Sequence, residues 1–204
     1  MGDLETDHLL DLAMRLFADL GYDGTSTRLI ADAAGIPVER VVELAGDKPQ
    51  LYQAVVARTL EAEQRAVDEA LGVFVPTRQG VIDLFDAMLD FYSAHPRFLT
   101  LWMHRWMGDA ADVSGQEAYI RRLTRQLADA IREVVQPDVD AGHLVWTITW
   151  CTFGFLTSGN QPSAPEADPG YRTPHDPQTL TGFRSYLHAL ITHLTRPPAG
   201  ATAL

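Results

Sequence analysis

Apolar side chains recur at intervals of three and four residues from the start of the chain, which is the pattern of an amphipathic helix. The first such helix passes through Phe17 and Leu20 and is expected to end at Gly21. Residues 25–27 read Thr-Ser-Thr and offer an N-cap for a second, short helix that ends at Gly35. These signals predict two helices joined by a tight turn near the N-terminus.

Helical patterns continue along the rest of the chain. Pro37 lies where a first-turn proline is tolerated, so a third helix is expected over 38–44. Asp47 and Pro49 open a fourth, which meets no strong breaker before Gly72. Further helices are expected over 78–94, 97–108, 115–136, 140–158 and 178–195. Since no segment alternates apolar and polar side chains as a half-buried strand does, the predicted fold class is all-α.

One segment interrupts this pattern between the last two predicted helices. It contains prolines that forbid regular helix and indicate a mobile or extended loop, namely Pro162, Pro165, Pro169, Pro174 and Pro177. Asp176 followed by Pro177 predicts the N-cap and first turn of the last helix. The tail after Arg196 is expected to be disordered.

The N-terminal helices also carry a motif. Residues 9–36 read as a helix ending LF-x-x-x-G, a Thr/Ser cap, and then IA-x-x-AG-I. This segment resembles the head of the tetracycline-repressor (TetR) family, and the match resumes at Lys48 and Leu51. The resemblance implies an N-terminal three-helix helix-turn-helix head over 1–50. It also implies a helical C-terminal body for ligand binding and dimerisation over 51–204.

The residues around the second and third helices are the DNA-contact candidates that this resemblance implies. Arg28 and Lys48 lie near helix N-termini, where backbone amides help to hold phosphate. Arg40 carries the donors that read a guanine edge. The predicted DNA-binding residues are Thr25, Ser26, Thr27, Arg28, Val38, Glu39, Arg40 and Lys48.

The third helix departs from the family pattern. Glu39, Val42 and Ala45 stand where family members commonly carry a glycine, a phosphate-gripping tyrosine and an aromatic anchor. The formal net charge is -11, and residues 1–50 carry four basic against ten acidic side chains, which opposes binding to nucleic acid. Two hypotheses stay open: a DNA-binding regulator, or a DNA-incompetent relative that acts as a dimeric small-molecule binder or protein-interaction module.

Aromatic and methionine side chains concentrate on helices in the middle of the chain. Most such side chains form core, but concave apolar ligand sites are lined by the same residue types. The predicted pocket residues are Phe85, Met88, Tyr92, Trp102, Met103, Trp106, Trp146 and Trp150. The expected partner is a small apolar ligand that changes the separation of two recognition helices and so releases a double-stranded DNA operator.

The last two predicted helices carry more apolar surface than a peripheral helix would expose. In the family these helices form a four-helix bundle across a two-fold axis, and a symmetric dimer is the commonest oligomer. The predicted homodimer interface comprises Phe155, Phe183, Leu187, Leu190, Ile191 and Leu194. The alternative is that both are interior helices of a monomer.

Other functions find little support in the sequence. It contains no zinc-protease, phosphate-loop or nucleophile-elbow motif, and its histidines lack ligand spacing, so no enzyme, cofactor or metal site is predicted. The single cysteine, Cys151, is expected to be a small buried apolar residue. Because no run approaches the ~18 apolar residues of a membrane span and the N-terminus is acidic, a cytoplasmic protein without membrane contact is expected.

Overall fold

The computed structural model describes residues 2–113, 116–159, 173–174 and 176–197. The elements in these ranges are α-helices, which confirms the predicted all-α class. They are α1 (Gly2–Gly24), α2 (Thr27–Ala34), α3 (Val38–Ala45), α4 (Lys48–Gly72), α5 (Arg78–Ala94), α6 (Pro96–Trp106), α7 (Glu117–Ile131), α8 (Ala141–Ser158) and α9 (Pro177–Leu194). Pro162, Pro165 and Pro169 of the predicted loop, and the predicted disorder from residue 198 onward, lie outside the described residues.

The ends of the first two helices follow the local signals in the sequence. Gly21 leaves the helical conformation with a φ of 74°, and Gly35 ends α2 with a φ of 67°, both in the region that favours glycine. Ser26 is the N-cap of α2, because its hydroxyl accepts a hydrogen bond of 3.1 Å from the Leu29 amide. The expected cap within 25–27 is thereby confirmed, and the expected break occurs at Gly21, although a short helical stretch continues after it to Gly24.

Two later helices begin with side-chain caps. The Gln50 amide donates to the Asp47 carboxylate at 3.0 Å, and the Asp47 amide donates back to the Gln50 side chain at 2.9 Å. This reciprocal pair satisfies two backbone donors at the start of α4. At α9 the Asp176 carboxylate accepts from the Thr179 amide at 2.8 Å and Pro177 occupies the first turn, as predicted.

Helix α7 is shorter than the predicted range of 115–136. It ends at Ile131, and Val135 then forms an isolated antiparallel bridge with Thr195. The Gln136 amide donates to the Leu194 carbonyl at 2.9 Å, and the Arg196 amide donates to the Val134 carbonyl at 2.8 Å. These pairings use backbone groups that a longer helix would need for itself, so the extended conformation replaces its last turn.

Contacts divide the chain into two compact units. The first unit contains α1 to α3, most of α4, and α6 with the segment that follows it. Its core includes an aromatic cluster in which the Phe17 and Tyr52 rings meet edge to face at 5.1 Å and the Tyr22 and Tyr52 rings at 4.9 Å. The predicted head makes up most of this unit, although α6 was not expected in it, and the boundary at residue 50 stays a prediction.

Helix α6 and its following segment belong to the core of the first unit through both apolar and polar contacts. Leu101, Ala110 and Val113 are buried in the core of this unit. The His104 imidazole lies 3.0 Å from the Ala18 carbonyl. The Asp109 carboxylate accepts from the Tyr22 amide at 2.6 Å and from the Asp23 amide at 3.0 Å. Asp109 therefore satisfies the backbone donors exposed where α1 turns at Gly21.

Replacing Asp109 by alanine is expected to lower the free energy of unfolding by about 2 kcal/mol, because two backbone amides lose a charged acceptor. Urea denaturation of the whole chain measures this change. Asp112→Ala is the matched control, since it removes the same charge three residues further along the same segment. An equal loss in both variants would show that the hydrogen bonds of Asp109 do not stabilise the fold.

The second unit contains the rest of α4 together with α5, α7, α8 and α9. Its packing includes an edge-to-face contact of 4.8 Å between the Tyr92 and Phe153 rings. The Asp86 carboxylate joins α5 to α9, since it lies 2.8 Å from the Arg184 guanidinium and 2.9 Å from the His188 imidazole.

Cys151 on α8 is only partly buried, so the expectation of a buried cysteine was wrong.

Candidate nucleic-acid interface and binding surfaces

Helices α2 and α3 form a helix-turn-helix around three apolar anchors. Ile30, Ala31 and Val41 are buried and face the core of the first unit. The turn between the helices is closed by the Ile36 amide, which donates to the Ala31 carbonyl at 3.1 Å. Because the anchors hold the inner side of α3, its outer side is left to solvent: Glu39, Val42 and Glu43 are exposed.

Arg40 on α3 is held by carboxylates of the same chain. Its guanidinium donates to both oxygens of Glu5, at 3.1 Å and 2.6 Å, and to Glu43 at 3.0 Å. The hydrogen bonds from Glu5 and Glu43 raise the pKa of Arg40, and the same contact lowers the pKa of the Glu5 carboxyl. We call this arrangement the Arg40 clamp. The residue predicted to read DNA is thus already engaged, and no local pattern in the sequence indicates its pairing with Glu5, which lies 35 positions away.

The other basic candidates have different surroundings. The Lys48 ammonium lies 4.1 Å from the centroid of the Tyr22 ring, a cation–π contact at the start of α4. Arg28, the second residue of α2, is exposed. Arg28 is therefore the most accessible of the three cations, and Lys48 is partly buried beside the aromatic cluster.

The remaining candidates divide between structural and surface positions. Thr25 is 1% exposed, and its hydroxyl donates to the Gly21 carbonyl at 2.7 Å, so its side chain does not reach the surface of the head. The Ser26 side chain is exposed but serves as the cap of α2. Thr27 and Val38 are partly buried, and Glu39 is exposed. The contacts of these residues with DNA stay predictions.

The eight predicted pocket residues are shared between the two units. Phe85, Met88 and Tyr92 are buried on α5 of the second unit. The centroids of the Trp146 and Trp150 rings on α8 lie 5.5 Å apart with the ring planes tilted by 33°, and Trp150 is 56% exposed. Within the first unit, α6 carries the remaining three, of which Trp102 is buried, Met103 partly buried and Trp106 exposed. A pocket common to all eight stays a prediction.

Two surface cavities are formed within the second unit. A groove of about 340 Å³ between α7 and α8 has Trp146 in its wall together with Arg121 and Arg125. We call it the α7–α8 groove. A cavity of about 330 Å³ lies beside the segment from α4 to α5 and is lined mainly by apolar side chains, including Phe74 and Leu84.

The predicted interface residues lie on both sides of α8 and α9. Leu187 and Ile191 are buried in the core of their own protomer, so they support α9 from within and are not available to a partner. Phe155 is buried and stacks on Phe183 at 4.0 Å, while Leu190 and Leu194 are partly buried. The outward sides of the two helices instead expose Trp150 and Tyr186, the latter 57% accessible. The dimer interface itself stays a prediction.

Comparison with known proteins agrees with this geometry. Residues 9–55 match the sequence model of the bacterial regulatory proteins of the tetR family. The HTH-type transcriptional regulator YhgD of Bacillus subtilis is 22% identical over 134 residues, which is 66% of this chain and 69% of YhgD. YezE of the same organism, also an HTH-type regulator, is 24% identical over 143 residues, covering 70% of this chain and 74% of YezE.

Solved structures share the fold over nearly the whole chain. KstR2 of Mycobacterium tuberculosis, described as a ketosteroid transcriptional regulator, has a TM-score of 0.71 at 17% identity, covering 94% of this chain and 95% of KstR2. AibR in complex with isovaleryl coenzyme A and operator DNA has a TM-score of 0.69 at 17% identity, covering 89% of this chain and 97% of AibR. PfmR from Thermus thermophilus has a TM-score of 0.67 at 18% identity, covering 94% of this chain and 97% of PfmR.

Proposed function

We propose that this chain, a TetR-family protein by its N-terminal helices and its fold, is a homodimeric transcriptional regulator that binds operator DNA and releases it when a small, largely apolar ligand binds the body. The observation that carries the proposal is the helix-turn-helix, in which buried anchors present the outer side of α3 to solvent. Within the described residues, no helix combines the length and apolar character needed to cross a membrane. The proposal is of a regulator and includes no catalytic step.

In this proposal α3 is the recognition helix. A helix of this kind enters the major groove, and two copies related by a two-fold axis contact half-sites one DNA turn apart, ~34–36 Å. Arg28 at the start of α2 and Lys48 at the start of α4 lie near helix N-termini, where backbone amides add to their attraction for phosphate. Dimerisation through α8 and α9 supplies the second copy of α3.

The proposed ligand control rests on the position of α6. This helix and the segment after it belong to the first unit, whereas α5 before it and α7 after it belong to the second unit. A ligand that moves α5 or α7 would therefore also move the first unit, because the chain passes directly from α5 into α6 and from the segment after α6 into α7. AibR, which shares this fold, was solved with isovaleryl coenzyme A and operator DNA, and this supports a regulator that binds both a small molecule and DNA.

A second candidate function is favoured by the Arg40 clamp. Glu39 and Glu43 are exposed on α3, and Arg40 is occupied by Glu5 and Glu43. A surface with these charges repels phosphate, which supplies much of the affinity of a DNA-binding protein. A relative of the family that has lost DNA binding, and serves as a dimeric small-molecule binder or protein-interaction module, would carry such a surface.

The experiment that separates the two candidates is a selection of binding sites from random double-stranded DNA at low salt, followed by measurement of affinity for the selected sequence. A regulator enriches a two-fold symmetric site whose affinity falls as salt rises. Failure to enrich any sequence, by a chain that is folded and dimeric, would support the DNA-incompetent relative instead.

Replacing Glu5 by glutamine is expected to raise affinity for the selected site severalfold, because Arg40 then has to leave only the Glu43 carboxylate before it meets DNA. The effect should decrease as salt rises, as expected for exposed charges. Fluorescence anisotropy with a labelled duplex measures the change. Glu61→Gln, an exposed position on α4, is the control for loss of one negative charge. If both variants gain affinity equally, net charge and not the Arg40 clamp limits binding.

A further inference from the structure

The charge of α7 is opposite to that of the whole chain. Four of the fifteen arginines lie in residues 117–132, which contain only two acidic side chains, although the chain as a whole has a formal net charge of -11. Arg122 and Arg132 are occupied: Arg122 lies near the Tyr119 ring and the Gln64 side chain, and Arg132 pairs with Asp129 at 2.5 Å.

The other two arginines of α7 are not compensated in this way. Arg121 and Arg125 are exposed one helical turn apart, and both line the α7–α8 groove. Within the described part of the chain, neither guanidinium forms an ion pair with a carboxylate. Like charges at this spacing destabilise a helix, so an anion bound between the two guanidinium groups would remove an unfavourable interaction.

The opposite wall of the groove is aromatic. Trp146 lines it from α8, and the tilted ring of Trp150 lies beside the Trp146 ring, with 5.5 Å between the centroids. Asp140 is the one carboxylate among the residues described as lining the groove, and it already accepts a hydrogen bond of 2.8 Å from the His143 amide as the N-cap of α8. The groove therefore combines unpaired cations on one side with a flat apolar ring on the other.

We propose that the α7–α8 groove binds a small organic phosphate that carries an aromatic ring. Guanidinium groups recognise phosphate through paired hydrogen bonds, which fits the positions of Arg121 and Arg125. Tryptophan offers a stacking surface to a planar ring, which fits Trp146. A volume of about 340 Å³ lies within the range of small-ligand sites. This site is distinct from the pocket proposed for the apolar ligand of the regulator, and ligand binding in the groove does not depend on DNA binding.

Isothermal titration of the full chain tests the site with three probes: adenosine diphosphate, adenosine, and inorganic pyrophosphate. Adenosine diphosphate is expected to bind, and each half-probe at least tenfold more weakly, since each lacks one of the two recognised groups. The double variant Arg121→Gln with Arg125→Gln should lose at least tenfold in affinity for adenosine diphosphate. The Trp146→Ala variant should bind adenosine diphosphate more weakly but bind pyrophosphate with unchanged affinity.

The matched control is the double variant Arg15→Gln with Arg97→Gln, which removes two exposed arginines from the first unit. It should bind adenosine diphosphate as the unaltered chain does. No binding by the unaltered chain at millimolar probe, or an equal loss in both double variants, would overturn the proposal. A change in molecular mass of the Arg121/Arg125 variant by light scattering would also overturn it, because the groove would then be a contact between copies of the chain.

Discussion

The double variant Arg40→Ala with Lys48→Ala is expected to bind the selected operator roughly a hundredfold more weakly than the unaltered chain, or not measurably. Few cations near the helix-turn-helix are available to replace them, because residues 1–50 contain only Arg15 and Arg28 besides these two. In the proposed complex we expect Arg40 to exchange Glu5 for DNA, and Lys48 to contact phosphate from the start of α4. A dimer loses four cations at once.

The salt dependence of binding checks this result independently of the affinity. Each neutralised phosphate contributes about -0.9 to the slope of log affinity against log salt, so the double variant should show a shallower slope. Arg65→Ala with Arg97→Ala is the matched control, since both side chains are exposed and lie outside α1 to α3. Operator binding by the Arg40/Lys48 variant that equals that of the unaltered chain would contradict the assigned contacts.

Replacing Trp150 by glutamate is expected to convert the dimer to a monomer at micromolar concentration. Trp150 is 56% exposed near the middle of α8, and a large aromatic side chain at the centre of an interface commonly contributes much of its binding energy. A carboxylate there would be buried without a partner, which is strongly unfavourable. Light scattering measures the mass, and loss of operator binding should accompany monomer formation, because one head contacts only half of a two-fold site.

Val73→Glu is the control for this substitution. Val73 is the most exposed of the large apolar side chains described, at 81%, and it lies outside α8 and α9. This variant should stay dimeric. A Trp150→Glu chain that remains a dimer at micromolar concentration, and keeps its helical content, would show that the copies pair through another surface.

The sequence predicted the helices well because their ends depend on neighbouring residues. Ser26, Gly35 and Asp176 each act within three or four positions of the backbone groups that they satisfy. The Arg40 clamp has no such local signal, since Glu5 lies 35 positions before Arg40, with most of α1 and the whole of α2 between them. For the same reason the periodicity of α6 indicated a helix but not the unit to which it belongs.

The candidate sites were harder to predict than the helices. A helical repeat of apolar residues defines a face, but it does not say whether that face meets the protein's own core or another molecule. Leu187 and Ile191 lie in the core, whereas Tyr186, which directly precedes Leu187, is exposed. On α7, by contrast, the pair Arg121 and Arg125 is visible in the sequence. Only the structure brings Trp146 into the same groove, and this is the reason for proposing a binding site there.

The way in which Asp109 and its neighbours complete the head has a consequence for protein engineering. A fragment cut at residue 50 or 63 would lack Leu101, Ala110 and Val113 from its core and the acceptor for the Tyr22 and Asp23 amides. A hybrid regulator that joined the first unit of this chain to the second unit of another protein would need residues 95–113 along with the N-terminal helices. The exchange therefore requires three crossover points in the gene.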